Sequence, residues 1–271
     1  MIESLKDFGE ETELQKACQY ALLSEGKRLR PLVVFLVADA IGKGLDVTKA
    51  ALSVEFFHTA SLIVDDLPCM DNDDFRRNKP SLHKIFGEDI AILASYSIMI
   101  EGFKKIRESA SGGELCSIAL KEATLAAGIH GVTGGQYLDL YPKGTSFSEI
   151  KEVLEKKTAR LFEIATLFGW LFGGGELSFL EDVKKLGYHF GMAFQIADDI
   201  KDLAQDKKKQ NPVNLAGVLG LEKALDVFAE ECNRFLQVVE KLNLKKDNFL
   251  LLQNKLQEYV KDALGEASLQ H

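Results

Sequence analysis

A chain of 271 residues that is 46% hydrophobic and 27% charged has the balance of a folded globule, which excludes a disordered tail protein. Its formal charge of -8, from 41 acidic against 33 basic residues, argues against a general affinity for nucleic acid or for anionic membrane, so any phosphate-binding site must be a local basic cluster. Cys18, Cys69, Cys116 and Cys232 form no CxxC pair; neither a zinc site nor a disulfide framework is indicated, and a reducing cytosol fits best.

Residues 1–13 carry acids where a secretory signal would be basic and then apolar, so no export signal is expected. The apolar stretches Pro31 to Ile41 and Leu161 to Phe172 are interrupted by Asp39 and Glu163 and fall short of the ~20 residues that span a bilayer, so no stable membrane insertion is expected. Between only five prolines run long segments whose apolar residues recur at three- and four-residue spacing, which predicts an all-α chain. Leu52, Phe56, Thr59, Ile63 and Asp66 lie along one helical stripe, and Leu154, Leu161, Ile164, Ala165 and Phe168 along another. Breaks are expected at Gly42-Lys43-Gly44, Ser111-Gly112-Gly113, Lys143-Gly144-Thr145, Gly173-Gly174-Gly175 and the polar run Gln205 to Asn211. No linker divides the chain, and one helical bundle over residues 1–271 is the economical reading. The glycine runs match neither GxxxxGK[ST] nor GxGxxG after a strand, and read as turns or close helix contacts.

Two aspartate clusters stand out. Asp65, Asp66, Asp71, Asp73 and Asp74 follow the apolar stretch Ala60 to Val64, and Asp198, Asp199 and Asp202 close the stretch Phe190 to Ala197. A carboxylate at a helix C-terminus faces the negative pole of the helix dipole and neighbouring carboxylates repel, each effect costing ~0.3 to 1 kcal/mol, so these clusters do not serve stability. Asp198 and Asp202, four apart, project from one side of a helix and can share a hard cation. Between Asp65 and Asp71, Pro68 forces a bend that can bring the two together. Such oxygen donors suit Mg²⁺, which takes one or two carboxylates and fills its other positions with water and substrate phosphate. The complementary anion traps are Lys27, Arg28 and Arg30 in the run 26–31, and Arg76-Arg77 directly after the first acidic cluster. Carboxylate, metal and diphosphate then form one charge-balanced assembly.

These residues carry a family resemblance. GKRLRP at 26–31, DDLPCMDNDDFRRNKPSLH at 65–83, GGQYLDL at 134–140, Lys157-Thr158 and FQIADDIKD at 194–202 resemble, in order, the motif set of the trans-prenyl diphosphate synthases, above all the short-chain farnesyl and geranylgeranyl members. The resemblance implies a helical bundle around a deep central cavity, a homodimer and Mg²⁺ as cofactor, and the cysteine usage adds the expectation of a cytoplasmic location. It assigns Mg²⁺ to Asp65 and Asp71, with Asp66 beside them, and to Asp198 and Asp202, with Asp199 and Lys157 counted in the catalytic set. Arg76, Lys157, Thr158 and Gln195 would hold the allylic diphosphate, and Lys27, Arg30, His58 and Arg77 the isopentenyl diphosphate. The implied reaction condenses isopentenyl diphosphate with dimethylallyl, geranyl or farnesyl diphosphate by ionisation, condensation and elimination, and needs no protein nucleophile.

The chain departs from the family after the second aspartate motif, where Gln205 to Asn214 replaces a glycine-lysine loop and a later Lys-x-Thr; Lys207, Lys208 or Lys209 would stand in for the missing cations. Two other readings remain: a non-catalytic regulatory subunit, which would not need both aspartate motifs, and a terpene cyclase, which would not need Lys27, Arg30, His58 and Arg77. Product length is read from the helix that enters Asp65. Counting back at ~1.5 Å per residue, Ala60 and Ser61 lie about one turn below the metal and Phe57 about one turn deeper. In the family a bulky aromatic residue five positions before the first aspartate often closes the pocket at fifteen carbons; Ala60 stands there, which favours geranylgeranyl over farnesyl diphosphate.

Overall fold

Thr12 opens the first helix, α1 (Glu13–Leu23), by accepting the Gln15 amide at 3.2 Å. The computed structural model describes residue 6, residues 8–209 and residues 213–268, with the backbone alone at 204–209 and 266–268. Next come α2 (Leu29–Ile41), closed by Gly42 at φ +78°, and α3 (Thr48–Asp65). The end of α3 is set by local chemistry. Asp66 still donates its amide to Leu62 O at 3.1 Å, Pro68 cannot extend the ladder, and the chain curls back until Asp71 N donates to Asp65 O at 2.9 Å. The bend expected at Pro68 therefore does bring the two aspartates side by side.

A two-residue antiparallel hairpin follows, β1 (Phe75–Arg76) and β2 (Lys79–Pro80), turning through Arg77 at φ +53° and Asn78 at φ +63°. Positive φ at both central residues is what the twist of a tight hairpin demands. Two residues per strand are too few to leave an alternating pattern in the sequence, and none was legible. The chain continues through α4 (Leu82–Phe86), α5 (Glu88–Ser109), α6 (Gly113–Ala127), α7 (Val132–Leu140) and α8 (Phe147–Leu154), the last opened by reciprocal bonds between Ser146 and Glu149. A π-helical turn, Glu155–Ala159, joins α8 to α9 (Arg160–Phe172). The remaining helices are α10 (Leu180–Lys209), α11 (Leu215–Leu219), α12 (Leu221–Lys241) and α13 (Lys246–Ser268).

α9 is buried at every position from Leu161 to Phe172, and α3 along most of its length, which marks both as central helices. α5 lies along α3, while α2 and α10 flank α9. Both expected stripes face the core, with only Leu52 half-exposed. The expected glycine breaks hold, but Gln205 to Lys209 continues α10, because a run of helix-forming Gln and Lys has no glycine or proline to stop it before Pro212. No helix among the described residues is long and apolar enough to cross a membrane. The helices enclose a cavity of about 330 Å³ lined from α3, α5, α7 and α9.

Glu163 lies inside this frame on α9. It accepts from Arg160 Nη1 at 2.9 Å, yet burial pushes its pKa up to about 7 against the pull of that arginine. A carboxyl whose folded pKa exceeds its ordinary 4.5 destabilises the fold in its charged form. That cost is absent at low pH and grows as pH rises from about 4.5 to about 7. Glu163→Gln is therefore expected to gain on the wild type across that window, by on the order of 1–3 kcal/mol, and to run parallel to it above. Urea unfolding curves of both proteins over the pH range measure this difference.

Candidate active site

The cavity meets the first aspartate motif at Asp65. Its wall on α3 is Phe57, Ala60, Ser61, Val64 and Asp65, with Ser95 and Met99 from α5, Leu161 from α9, and Gln136, Tyr137 and Leu140 from α7. Counting down α3 from Asp65, the lining passes small Ser61 and Ala60 before it reaches Phe57. The Phe57 ring is packed edge-on against Phe103, with centroids 4.9 Å apart.

Asp65 is buried, and that burial raises its pKa to about 7, with Lys157 opposing and Asp71 adding to the rise. Asp71 is exposed and accepts from Gln136 Nε2 at 3.2 Å. Asp66, one residue along the chain from Asp65, lines a separate and smaller pocket and is committed to Arg76, which donates to it through Nε at 2.8 Å and through Nη2. The structure thus separates two acids that the sequence placed together: Asp65 faces the cavity beside Asp71, and Asp66 fixes Arg76. Of the other acids in the cluster, Asp73 lies 3.6 Å from Arg76 and Asp74 pairs with Lys84 at 2.6 Å.

Lys157 sits on the π-helical turn and is paired with Asp139 of α7. Burial opposes its charge, but Asp139, Asp65 and Asp71 hold its pKa above the ordinary lysine value. The turn fits because of Gly135, where a Cβ would stand 2.3 Å from the Lys157 amide nitrogen. Thr158 donates to Gln195 Oε1 at 2.6 Å, Gln195 Nε2 donates to Asp199 Oδ1 at 2.9 Å, and the Leu215 amide donates to Asp199 Oδ2 at 2.8 Å. Against the expectation that the acids of this cluster do not serve stability, Asp199 is a buried support for Gln195 and for the start of α11, whereas Asp198 is half-buried and Asp202 exposed on the same helix. Burial raises the pKa of Asp198 despite a hydrogen bond from Tyr259.

The basic cluster of 26–31 divides in the same way. Arg28 is tied to buried Glu55, to Leu22 O at 2.8 Å and to Ser24 O, which makes it a brace between the loop and α3. Lys27 is exposed, and Arg30 is buried with its guanidinium 4.5 Å over the Phe162 ring. Arg30 Nη1 donates to His58 Nε2 at 3.1 Å; arginine has no acceptor, so the histidine must receive this bond and carry its proton on Nδ1. Burial, then Arg30, Arg77, Arg76 and Arg28, hold the His58 pKa well below the ordinary histidine value. Burial also lowers the Arg30 pKa to about 10, and its Nε has no hydrogen-bond partner among the described residues. Arg77 lies against the loop at Gly26, where a Cβ would stand 2.5 Å from its guanidinium. The structure thus gathers Arg30, His58 and Arg77 at one basic locus that spans α2, α3 and the hairpin. The side chains of Lys207, Lys208 and Lys209 lie outside the described residues.

Sequence reasoning missed Gln136 and Asp139, although both stand inside the quoted run GGQYLDL, because only their neighbours reveal what they hold. It also missed Ser95 and Met99, which look like ordinary core residues, and Tyr259, which donates to Asp198 Oδ1 at 2.9 Å from a helix that carries no motif. The support role of Asp199 has a direct consequence. Asp199→Ala should cost about 2 kcal/mol in thermal or urea unfolding, since it leaves the buried Leu215 amide without its acceptor.

Residues 11–214 match the Polyprenyl synthetase family. The chain is 35% identical over 254 residues to heterodimeric geranylgeranyl pyrophosphate synthase large subunit 1, chloroplastic, of Arabidopsis thaliana, covering 86% of this chain and 68% of that protein. It is 36% identical over 253 residues to farnesyl diphosphate synthase of Bacillus subtilis (strain 168), covering 86% and 84%. The crystal structure of geranyltransferase from Legionella pneumophila superposes with a TM-score of 0.83 at 27% identity, over 95% of this chain and 91% of that one. The motifs, the helical fold and these relatives agree, and the chain belongs to the polyprenyl synthetase family.

Proposed function

We propose that the chain joins isopentenyl diphosphate to allylic diphosphates, extending a prenyl chain inside the cavity below Asp65. The observation that carries this reading is Asp65 on the wall of an apolar cavity, close enough to Asp71, Lys157 and Arg76 for their charges to act on it. An isoprenoid substrate has the same division, a charged diphosphate on a hydrocarbon tail. Arg76, Lys157, Thr158 and Gln195 are read as the allylic diphosphate site, and Lys27, Arg30, His58 and Arg77 as the isopentenyl diphosphate site. Arg30 Nε, which has no hydrogen-bond partner among the described residues, supports the second assignment, since a buried cationic donor awaits an acceptor. A second anion site of this kind also favours a condensing enzyme over a terpene cyclase.

Mg²⁺ fits the residues present. The donors at Asp65, Asp71, Asp198 and Asp202 are all carboxylate oxygens, Asp65 carries a burial cost that a cation would relieve, and the buried Gln136 Oε1 has no partner among the described residues. Among the described residues no three acids, histidines or cysteines converge into a ready cage, and paired carboxylates completed by substrate phosphate are what Mg²⁺ prefers. Bound there, the ion would neutralise the charge that develops on a departing diphosphate. The protein does the rest: Lys157 and Arg76 orient the allylic diphosphate, the arginines around His58 hold the second substrate, and the apolar wall keeps water from the allylic carbon.

A homodimer in the cytoplasm completes the reading. Ile92, Leu93, Tyr96 and Ile100 form an exposed stripe at helical spacing on α5, with Tyr96 68% and Ile100 67% exposed, a face that a second copy would cover. Four free cysteines fit a reducing compartment.

The test is turnover of isopentenyl diphosphate with an allylic primer. Activity is expected to require Mg²⁺ and to fall by several powers of ten in Asp65→Ala and in Asp198→Ala with helical content intact. Near-normal rates in either variant at saturating Mg²⁺ would overturn the assignment.

Product length follows from the wall of α3. Small side chains at Ala60 and Ser61 and the ring of Phe57 below them support a twenty-carbon product. Ala60→Tyr is expected to shift products towards fifteen carbons and Phe57→Ala to lengthen them, read by chromatography of the dephosphorylated alcohols with isopentenyl diphosphate in excess.

A further inference from the structure

The C-terminal helix contributes a side chain that the motif set does not contain. Tyr259 of α13 donates its hydroxyl to Asp198 Oδ1 at 2.9 Å. Two ammonium groups lie over its ring, Lys27 Nζ at 4.3 Å and Lys201 Nζ at 4.7 Å from the centroid. Leu252, Leu256 and Val260 on the same helix are buried, and α13 packs on α10 and α12, so the ring is carried by an anchored element. One phenol thus touches the 26–31 loop and α10 at once.

Its position addresses a problem that the site creates for itself. A lysine meant for a phosphate stands near a carboxylate meant for a cation, and each is a ready partner for the other. A direct ion pair would occupy both, and either ligand would have to break a charge-assisted bond before it could bind. The tyrosine offers a weaker substitute on each side. Its π-face attracts the ammonium group, and its hydroxyl gives the carboxylate a neutral donor. Both contacts exchange readily for a phosphate oxygen and a metal ion.

We propose that Tyr259 is a positioning residue that keeps Lys27 and Asp198 unpaired, leaving the lysine available to a diphosphate and the aspartate to a divalent cation. The proposal rests on the reading of Asp198 as a cation-binding acid and of Lys27 as a diphosphate contact.

Three substitutions in the full chain test it: Tyr259→Phe, which keeps the ring, Tyr259→Leu, which removes ring and hydroxyl, and Asp198→Asn as the control for the underlying reading. The readouts are Mn²⁺ affinity in the presence of inorganic pyrophosphate, by electron paramagnetic resonance titration, and KM for isopentenyl diphosphate at saturating Mg²⁺. Tyr259→Leu is expected to weaken Mn²⁺ binding and to raise KM, each by about tenfold, the size of one charge-assisted contact that must first be broken. Tyr259→Phe should hold KM within about twofold of wild type, since the ring still carries Lys27. Adding Lys27→Met and Lys201→Met to Tyr259→Leu should recover the Mn²⁺ affinity, because neither of the two lysines over the ring then remains to pair with Asp198. Melting curves establish that each variant is folded, and Tyr259→Met, of comparable bulk, is read in the same way if the leucine variant melts early. Wild-type Mn²⁺ affinity and KM in Tyr259→Leu, with weakened Mn²⁺ binding in Asp198→Asn, would overturn the role of Tyr259 alone. Unchanged Mn²⁺ binding in Asp198→Asn would overturn the reading of Asp198 and this proposal with it.

Discussion

A buried arginine on an aromatic ring joins the halves of the site. Arg30 reaches from α2 over Phe162 of α9, donates to His58 of α3, and lies close enough to Asp198 of α10 for each to shift the other's pKa. A guanidinium tolerates this position because it is weakly hydrated and stacks on aromatic faces, whereas a lysine ammonium would be drawn back to water. Four helices are thereby referred to one charge. Burial, and then this guanidinium, keep His58 neutral, since a second proton on the buried ring would lose its hydration and be repelled by Arg30.

The remaining charges are sorted by what their neighbours do to them. Arg28 and Glu55, Arg76 and Asp66, and Lys157 and Asp139 are paired within the protein. Asp65 is buried with its pKa raised to about 7, and Arg30 Nε has no partner among the described residues. Self-paired groups are held in one geometry before any ligand arrives and under-satisfied ones keep bonding capacity to spare, so a motif such as DD at 65–66 or KRLR at 27–30 contains both kinds within a few residues. Pre-set side chains of this sort reduce the reorganisation that a substrate must drive, which is how a site built from strong charges remains easy to load.

This sorting also explains what could be read in the sequence. The helical class, the core stripes and the two aspartate clusters were legible because each follows from periodicity or from like charges crowded after an apolar run, although only the first cluster stands at a helix end, since α10 runs on to Lys209. The division of labour inside a motif was not. Asp66 and Asp65 are adjacent and chemically identical, and only the hairpin that brings Arg76 back to Asp66 tells them apart. Asp199 reads as a third acid of its cluster until Leu215, sixteen residues later, is seen to donate to it. The π-helical turn under Lys157 leaves no mark in the pattern because it shifts register by a single residue. Tyr259 is a polar-tipped aromatic on an amphipathic helix, and nothing local separates it from one that simply packs.

The cavity floor shows the same limit in the apolar part of the site. In the sequence, depth is a count of residues down α3, and Phe57 is where small side chains give way to a large one. In the fold, the position of that ring is decided from behind. Gly102 of α5 approaches so closely that a Cβ there would meet Phe57 Cε1 at 2.9 Å, and Phe103 stands edge-on against the same ring. Phe57 has no room to recede under a growing chain and less still if Gly102 carried a side chain. The floor is thus a joint property of α3 and α5, held by the packing of a glycine against an aromatic face. An apolar tail pressing on it meets a close-packed interior that does not yield by degrees. Under the proposed reading of Phe57 as the chain-length residue, such a stop would measure length sharply.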